Sequence, residues 1–108
     1  MVAAADWVEA CRVDQLGEED VRRFDHDGHT FAIYRAPGGA FYASAGLCTH
    51  EETHLADGFV IGTIIECSMH NGRFDIRTGQ AMGAPACIDI KTYPVKIEDG
   101  RVLVDVAA

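Results

Sequence analysis

Hydrophobic and polar positions alternate along this chain over short stretches, and turn-forming residues separate those stretches. Val21 to Phe24 alternates and is followed by Asp27-Gly28, a dipeptide typical of two-residue β-hairpin turns. Pro37-Gly38-Gly39 predicts a second turn with a strand on either side of it. No window shows the 3.6-residue period of a long amphipathic helix. The pattern therefore predicts an all-β protein.

Further strands are predicted near both ends of the chain. A first strand begins near Trp7, Ile88–Lys91 and Val95–Glu98 alternate, and Asp99-Gly100 turns the chain into a last strand over 101–106. We expect an antiparallel base made from residues of about 1–42 and 87–108. The stretch of about 43–86 is expected to be inserted between them as a small β subdomain, all within a single domain.

Length and composition place the chain among ordinary globular proteins. It has 108 residues, which is a normal size for one domain, and 48% of them are hydrophobic. The sequence has no run of eighteen apolar residues, and its first residues lack the basic and apolar regions of a signal peptide. These features predict a cytoplasmic protein that is not bound to a membrane.

Charge narrows the classes of partner. The formal net charge is −8, so nucleic acid is disfavoured, because its phosphates would repel such a surface. Acidic residues flank the part of the chain that carries the candidate chemistry, at positions 51, 52, 57 and 66. A protein partner with a basic docking patch is therefore expected.

That chemistry lies in two short segments, Cys48-Thr49-His50 and Cys67-Ser68-Met69-His70. Each offers one thiolate and one imidazole, and together they predict a two-iron cluster with two cysteines on one iron and two histidines on the other. Such unequal coordination is typical of a one-electron carrier. A Cys₂His₂ zinc site uses the same atoms, but zinc motifs usually pair cysteine with cysteine and histidine with histidine.

The second segment continues as Cys67-Ser-Met-His-Asn-Gly-Arg-Phe-Asp-Ile-Arg-Thr-Gly79, and the chain ends with Lys96-Ile-Glu-Asp-Gly-Arg-Val-Leu-Val-Asp-Val106. Both runs are similar to the Rieske-type [2Fe-2S] ferredoxins of bacterial aromatic-ring-hydroxylating dioxygenase systems, of the biphenyl and naphthalene dioxygenase kind. The resemblance covers about 7–106. It implies the Rieske fold, an antiparallel base with an inserted cluster-binding subdomain.

The resemblance also implies roles for individual residues. Cys48 and Cys67 would bind the inner iron of one Rieske-type cluster, and His50 and His70 would bind the outer iron. Residues 83–86 would form a third loop that covers the cluster. The chain would carry single electrons from an NAD(P)H-dependent flavin reductase to a terminal oxygenase, through transient docking, and would itself be a monomer with no catalytic residues.

The resemblance further implies a low reduction potential. Thr53 and Met69 stand where the high-potential Rieske proteins have a disulfide, and Gly72 and Phe74 stand where those proteins have serine and tyrosine hydroxyls. Hydrogen bonds to sulfur raise the potential, so a value of about −150 mV is expected rather than about +300 mV.

Two other functions use the same fold. One is a small subunit of nitrite-reductase type, whose members commonly lack the cluster ligands. The other is a redox-sensing regulator.

Three remaining predictions concern single side chains. Cys11 and Cys87 are expected to be small buried hydrophobic residues, with a disulfide between them as the alternative, and His54 is expected at the surface.

Overall fold

The structure, a computed structural model, describes residues 4–49, 53–69, 72–83 and 88–108. Within these residues there are ten strands, and all of their ladders are antiparallel. The helical segments of the described residues are two 3₁₀ turns, Val13–Gln15 and Leu55–Asp57. The prediction of an antiparallel all-β protein is confirmed.

The strands form three sheets. The end sheet contains β1 (Trp7–Arg12), β10 (Arg101–Asp105) and β9 (Val95–Glu98), in that spatial order. The central sheet contains β2 (Asp20–His26), β3 (His29–Arg35), β4 (Phe41–Ala45) and β8 (Thr92–Tyr93). The small sheet contains β5 (Phe59–Ile61), β6 (Ile64–Glu66) and β7 (Arg73–Asp75).

Tight turns with left-handed backbone set the register of the hairpins. Asp27 and Gly28 have φ angles of 51° and 80°, and they join β2 to β3 so that His26 lies opposite His29. Asp99 and Gly100, at 53° and 72°, join β9 to β10 in the same way. Positive φ at both turn residues is the geometry of a type I′ turn, which matches the twist of the strands.

The central sheet is buried on both faces, and β3 shows this directly. Phe31 and Ile33 point into a cluster shared with β10 of the end sheet. The alternate residues Ala32 and Tyr34 point into a second cluster, which contains Phe74 of the small sheet. The fold therefore has three layers, and the small sheet with its loops forms an outer one. The proposed division at about 43 and 86 stays a prediction, although β5 to β7 all fall inside that range.

The strand predicted at Ile88–Lys91 is wrong. Its alternation is real, since Ile90 is buried and Ile88 is 62% exposed, but its backbone does not join a ladder. The Ile90 N–H donates to the Gly79 carbonyl, and the Lys91 carbonyl accepts from Ala45. The segment therefore connects the loop at Gly79 to the end of β4, and the strand that follows is only two residues long.

In the part of the chain that the structure describes, no helix has the length and apolar character needed to span a bilayer.

Candidate metal centre

The first ligand loop, residues 48–53, leaves the central sheet after β4. The Cys48 N–H donates to the Thr53 carbonyl at 2.9 Å, which closes the loop. Just outside this bond, Leu47 and His54 form an isolated β-bridge, and the Leu55 N–H donates to the Gly46 carbonyl at 2.7 Å. The loop is thus held at its base, with residues 50–52 outside the described residues.

The second ligand loop, residues 67–72, connects β6 to β7. The Cys67 N–H donates to the Gly72 carbonyl at 2.7 Å, so this loop is closed by the same bond as the first, from a cysteine to the residue five positions later. Glu66 and Arg73 pair directly below it in the ladder, and their side chains form a 3.2 Å ion pair. Residues 70 and 71 lie outside the described residues.

The two cysteines lie together inside the protein. Cys48 is 5% exposed and Cys67 is 1% exposed, and both belong to one apolar cluster with Leu55, Ile65 and Phe74. Each cysteine starts a closed loop that contains one histidine in its sequence, His50 or His70. The structure thus brings the two sulfur donors into one apolar cluster. Both predicted nitrogen donors fall outside the described residues.

A third segment is bonded to both ligand loops. The Thr49 hydroxyl donates to the Ile88 carbonyl at 2.7 Å, and the Met82 N–H donates to the Arg73 carbonyl at 2.9 Å. The Ala81 N–H donates to the carboxylate of Asp89 at 2.9 Å. The predicted covering loop at 83–86 lies between these anchors, and its residues 84–86 are outside the described residues.

Large apolar side chains are exposed on the segments that surround the ligand loops. Met69 is 47% exposed, Met82 is 48% exposed and Ile88 is 62% exposed. Exposed methionine suits a surface that binds partners, because its flexible side chain adapts to different contacts. Single exposed apolar residues are common on proteins, so the informative feature is that these three lie on the second ligand loop and on the third segment.

A buried hydroxyl pair lies beneath the first ligand loop. The Ser44 hydroxyl donates to the Ala45 carbonyl at 2.8 Å, and Tyr34 lies 2.8 Å from the same hydroxyl oxygen. Since serine has one hydroxyl hydrogen, Tyr34 must be the donor in its bond to Ser44. Burial raises the pKa of the Tyr34 phenol well above its usual range, and the electrostatic effect of the neighbouring Cys48 raises it further. The phenol is neutral, and its one proton is directed at Ser44 rather than at a cysteine.

The prediction of a surface position for His54 is wrong. Its side chain is 6% exposed, and both ring nitrogens have partners. Nothing in the local sequence predicts this, because one partner, Thr30, is 24 residues away. Cys11 is buried with a free thiol, as predicted, and burial is the main reason that its pKa is raised. Cys87 lies outside the described residues.

Within the described residues, no three histidine, cysteine, aspartate or glutamate side chains are grouped closely enough to hold a metal ion. The predicted ligand set needs His50 and His70, which are not among them. The predicted site therefore combines two described cysteines with two histidines that are known from the sequence alone.

Comparisons with known proteins point to one family. Residues 6–94 match the family model for the Rieske [2Fe-2S] domain. The ferredoxin component of the naphthalene 1,2-dioxygenase system of Pseudomonas putida is 44% identical over 101 residues, which are 94% of this chain and 96% of that protein.

Solved structures give the same result. The Sphingomonas yanoikuyae B1 ferredoxin has a TM-score of 0.87 and 40% identity, covering 93% of this chain and 98% of that one. A chain from a complex of reduced oxygenase and oxidized ferredoxin in carbazole 1,9a-dioxygenase has a TM-score of 0.87 and 30% identity, covering 92% of each.

The chain belongs to the Rieske [2Fe-2S] domain family. It is a ferredoxin of the kind found in aromatic dioxygenase systems, an electron carrier rather than a catalytic enzyme, and its cofactor is one Rieske-type [2Fe-2S] cluster. The predicted fold, cofactor and carrier role are thereby confirmed. A small subunit of an NADH-dependent nitrite reductase from Mycobacterium tuberculosis has a TM-score of 0.84, but at 18% identity this likeness shows the fold alone.

Proposed function

We propose that Cys48 and Cys67 bind one iron of the cluster and that His50 and His70 bind the other. The supporting observation is the burial of both cysteines in one apolar cluster, each at the start of a loop closed by the same backbone bond. Rieske centres use two cysteines on one iron and two histidines on the second. When bound, the cluster accepts and releases one electron.

The residues around the cysteines support this role without taking part in proton chemistry. Leu55, Ile65 and Phe74 are each fully buried beside them and keep water from the sulfur side. In the sequence, His50 lies two residues after Cys48, and His70 directly follows the exposed Met69. Electrons would enter and leave by the histidine side of the cluster, and both partners would dock there in turn.

The proposed electron acceptor is a terminal aromatic-ring-hydroxylating oxygenase. The names of the relatives support this, since they are ferredoxin components of dioxygenase systems, and one similar chain comes from a complex with an oxygenase. The proposed donor is an NAD(P)H-dependent flavoprotein reductase.

We also infer that the protein is a cytoplasmic monomer. A carrier must exchange partners quickly, and the net charge of −8 favours transient, salt-dependent docking.

The test of the ligand assignment is electron paramagnetic resonance of the dithionite-reduced protein, with iron and sulfide analysis. We expect two irons per chain and the signal of a mixed-ligand di-iron centre. His50→Ala and His70→Ala should each remove that signal, whereas His29→Ala, at an exposed hairpin position, should keep it. A native signal in either ligand variant would show the assignment to be wrong.

The hydroxyl pair beneath the first loop supports the low potential expected from the sequence. Phe74 has no hydroxyl, and the one proton of the Tyr34 hydroxyl is directed at Ser44. We expect a midpoint near the low end of the Rieske range, about −150 mV. A redox titration that gave a strongly positive midpoint would contradict this.

A further inference from the structure

His54 lies at the base of the first ligand loop, and its hydrogen bonds fix its protonation state. Its Nδ1 accepts the Ala56 N–H at 3.0 Å, so Nδ1 carries no proton. The neutral ring must then carry its proton on Nε2, which lies 2.8 Å from the Thr30 hydroxyl oxygen and donates to it. One ring therefore joins the 3₁₀ turn that follows the loop, Leu55–Asp57, to Thr30 of the central sheet.

The chain of donors continues to the protein surface. Having accepted from His54, the Thr30 hydroxyl donates to Asp25 Oδ1 at 2.5 Å. Both oxygens of Asp25 lie 3.1 Å from the Arg23 guanidinium. Every donor along this path points the same way, from the ring to the carboxylate, and such aligned bonds strengthen one another.

The backbone leaves room for this ring and for little else. A Cβ atom on Gly46 would lie 2.5 Å from His54 Nε2, which real structures do not tolerate, so residue 46 has to be glycine while the ring is there. The Gly46 N–H donates to the Thr30 carbonyl at 3.0 Å. The ring thus fills a fitted space between the start of the loop and β3.

The electrostatic surroundings keep the ring neutral. Burial is the largest cause that lowers the pKa of His54 below its usual 6.5, and Arg23 lowers it further. The carboxylates of Asp57 and Asp25 act in the opposite direction, and the first two effects exceed theirs. At neutral pH the acceptor at Nδ1 is therefore retained.

We propose that His54, in its neutral Nε2–H form, is a positioning residue that fixes the first ligand loop against the central sheet and so sets how that loop presents His50. This inference rests on the proposed function, because it takes Cys48 and His50 as ligands. His54 does not touch the electron-transfer partners in this view, and it acts only through the geometry of the loop.

The test compares four variants of the loaded protein. His54→Ala removes both bonds of the ring, His54→Asn keeps an acceptor within reach of Ala56 but not of Thr30, and Thr30→Val removes only the hydroxyl. His29→Asn makes a matched change at an exposed position. The readouts are the half-life of the cluster absorbance in the presence of an iron chelator and the electron paramagnetic resonance g-values of the reduced, folded protein.

We expect the cluster of His54→Ala to be lost about tenfold faster than that of the native protein, since two partly buried hydrogen bonds are removed. His54→Asn should lie between the two, and Thr30→Val should shift the g-values while circular dichroism stays native. His29→Asn should match the native protein in both readouts. A merely structural role would change the unfolding midpoint and leave the g-values of the folded fraction unchanged.

Native half-lives and g-values in both His54→Ala and Thr30→Val would overturn the proposal. Should His54→Ala fail to fold, the same result in Thr30→Val and His54→Asn would overturn it. Failure of the proposed function looks different, because the native protein would then lack the mixed-ligand signal, or the His50→Ala variant would keep it.

Discussion

The two ligand loops are closed by the same kind of backbone hydrogen bond, but different parts of the chain support them. The second loop, 67–72, connects adjacent strands, and three consecutive residue pairs between β6 and β7 hold its base. The first loop, 48–53, has a single bridge, Leu47 with His54. It is supported further by the backbone bond at Gly46, by the bond from Thr49 to Ile88 and by the contact of His54 with Thr30 in the central sheet. One loop is stabilised by neighbours in sequence, and the other by residues far away in the chain.

This difference has a physical consequence for the metal centre. A hairpin forms from local contacts, so the second loop keeps its geometry wherever the small sheet is intact. The first loop depends on a partly buried polar contact with the central sheet, and the loss of such a hydrogen bond costs about 0.5–1.5 kcal/mol. The first loop should therefore be the more easily disturbed half of the site.

The largest expected effect comes from replacing the cysteine of either loop. It should be the same for both loops, because both cysteines are proposed to bind the same iron. We predict that Cys48→Ser and Cys67→Ser each abolish iron binding, because each removes one of two thiolates needed by the same iron. Iron content and absorbance of the purified variants measure this. Cys11→Ser is the control, since Cys11 is equally buried but belongs to the cluster facing the end sheet. Iron retained at native stoichiometry in either ligand variant would contradict the shared site.

A second prediction concerns the contact between the loops. Gly58 follows the 3₁₀ turn after the first loop, and a Cβ there would overlap the carbonyl oxygen of Glu66, the residue before Cys67. Its φ of −95° is normal for any residue, so the cost of Gly58→Ala is overpacking alone. We expect a loss of about 1–3 kcal/mol in the free energy of unfolding, measured with urea.

Gly17→Ala is the matched control for this change, because its Cβ would meet nothing within 4 Å. It should alter the free energy of unfolding by less than about 0.5 kcal/mol. If both variants were equally stable, the two loop bases would not be in firm contact, and the loops would have to be treated as independent.

Several features of this molecule could be predicted from local sequence because their causes are local. Asp27-Gly28 and Asp99-Gly100 adopt positive φ angles within two residues, and both turns are as expected. The spacing of the two ligand segments likewise indicates the kind of cluster, although the individual ligands stay a prediction. At each turn the two residues are adjacent in the chain, and within each ligand segment the cysteine and the histidine are two or three positions apart.

The features that could not be predicted from local sequence depend on residues far apart in the chain or on very short strands. The alternation at Ile88–Lys91 predicts a strand, yet the backbone bonds of this segment go to Gly79 and Ala45. The burial of His54 depends on its contact with Thr30 and on the absence of a side chain at Gly46. The strands of the small sheet are three residues each, which is too short for alternation to show. Gly62, which has a φ of 62° in the turn between β5 and β6, was the residue in the sequence that could have indicated this hairpin.

The third prediction is that pH changes the stability contributed by residues beside the two loops over different ranges. The pKa of His54 is lowered in the folded protein, mainly by burial, so the unfolded chain takes up a proton near pH 6.5 while the folded chain does not. Stability from this residue is thus fully present above pH 6.5 and is lost as pH falls through the lower pKa of the folded state. Next to the second loop, the Arg77 ion pair lowers the pKa of Asp75 below 3.8, so its contribution persists until much lower pH.

Urea unfolding at a series of pH values tests this difference. The native protein should lose stability as pH falls below about 6.5, and His54→Asn should flatten that part of the curve. Asp75→Asn should leave that part unchanged and alter the region below pH 3.8. A native curve with no change between neutral pH and pH 4 would show that His54 has the same proton affinity in both states.

The smallest expected effect concerns the ion pair below the second loop. Arg73 is 59% exposed and Glu66 18% exposed, and they lie 3.2 Å apart in a cross-strand pair. A pair this open to water contributes about 0–1 kcal/mol, so Arg73→Ala should reduce the free energy of unfolding by less than about 1 kcal/mol and leave iron content unchanged. Arg101→Ala, which breaks a looser pair with Glu98 in the end sheet, is the control. Because the backbone ladder of β6 and β7 already holds this loop, loss of iron from Arg73→Ala would mean that the second loop, like the first, depends on a side-chain contact.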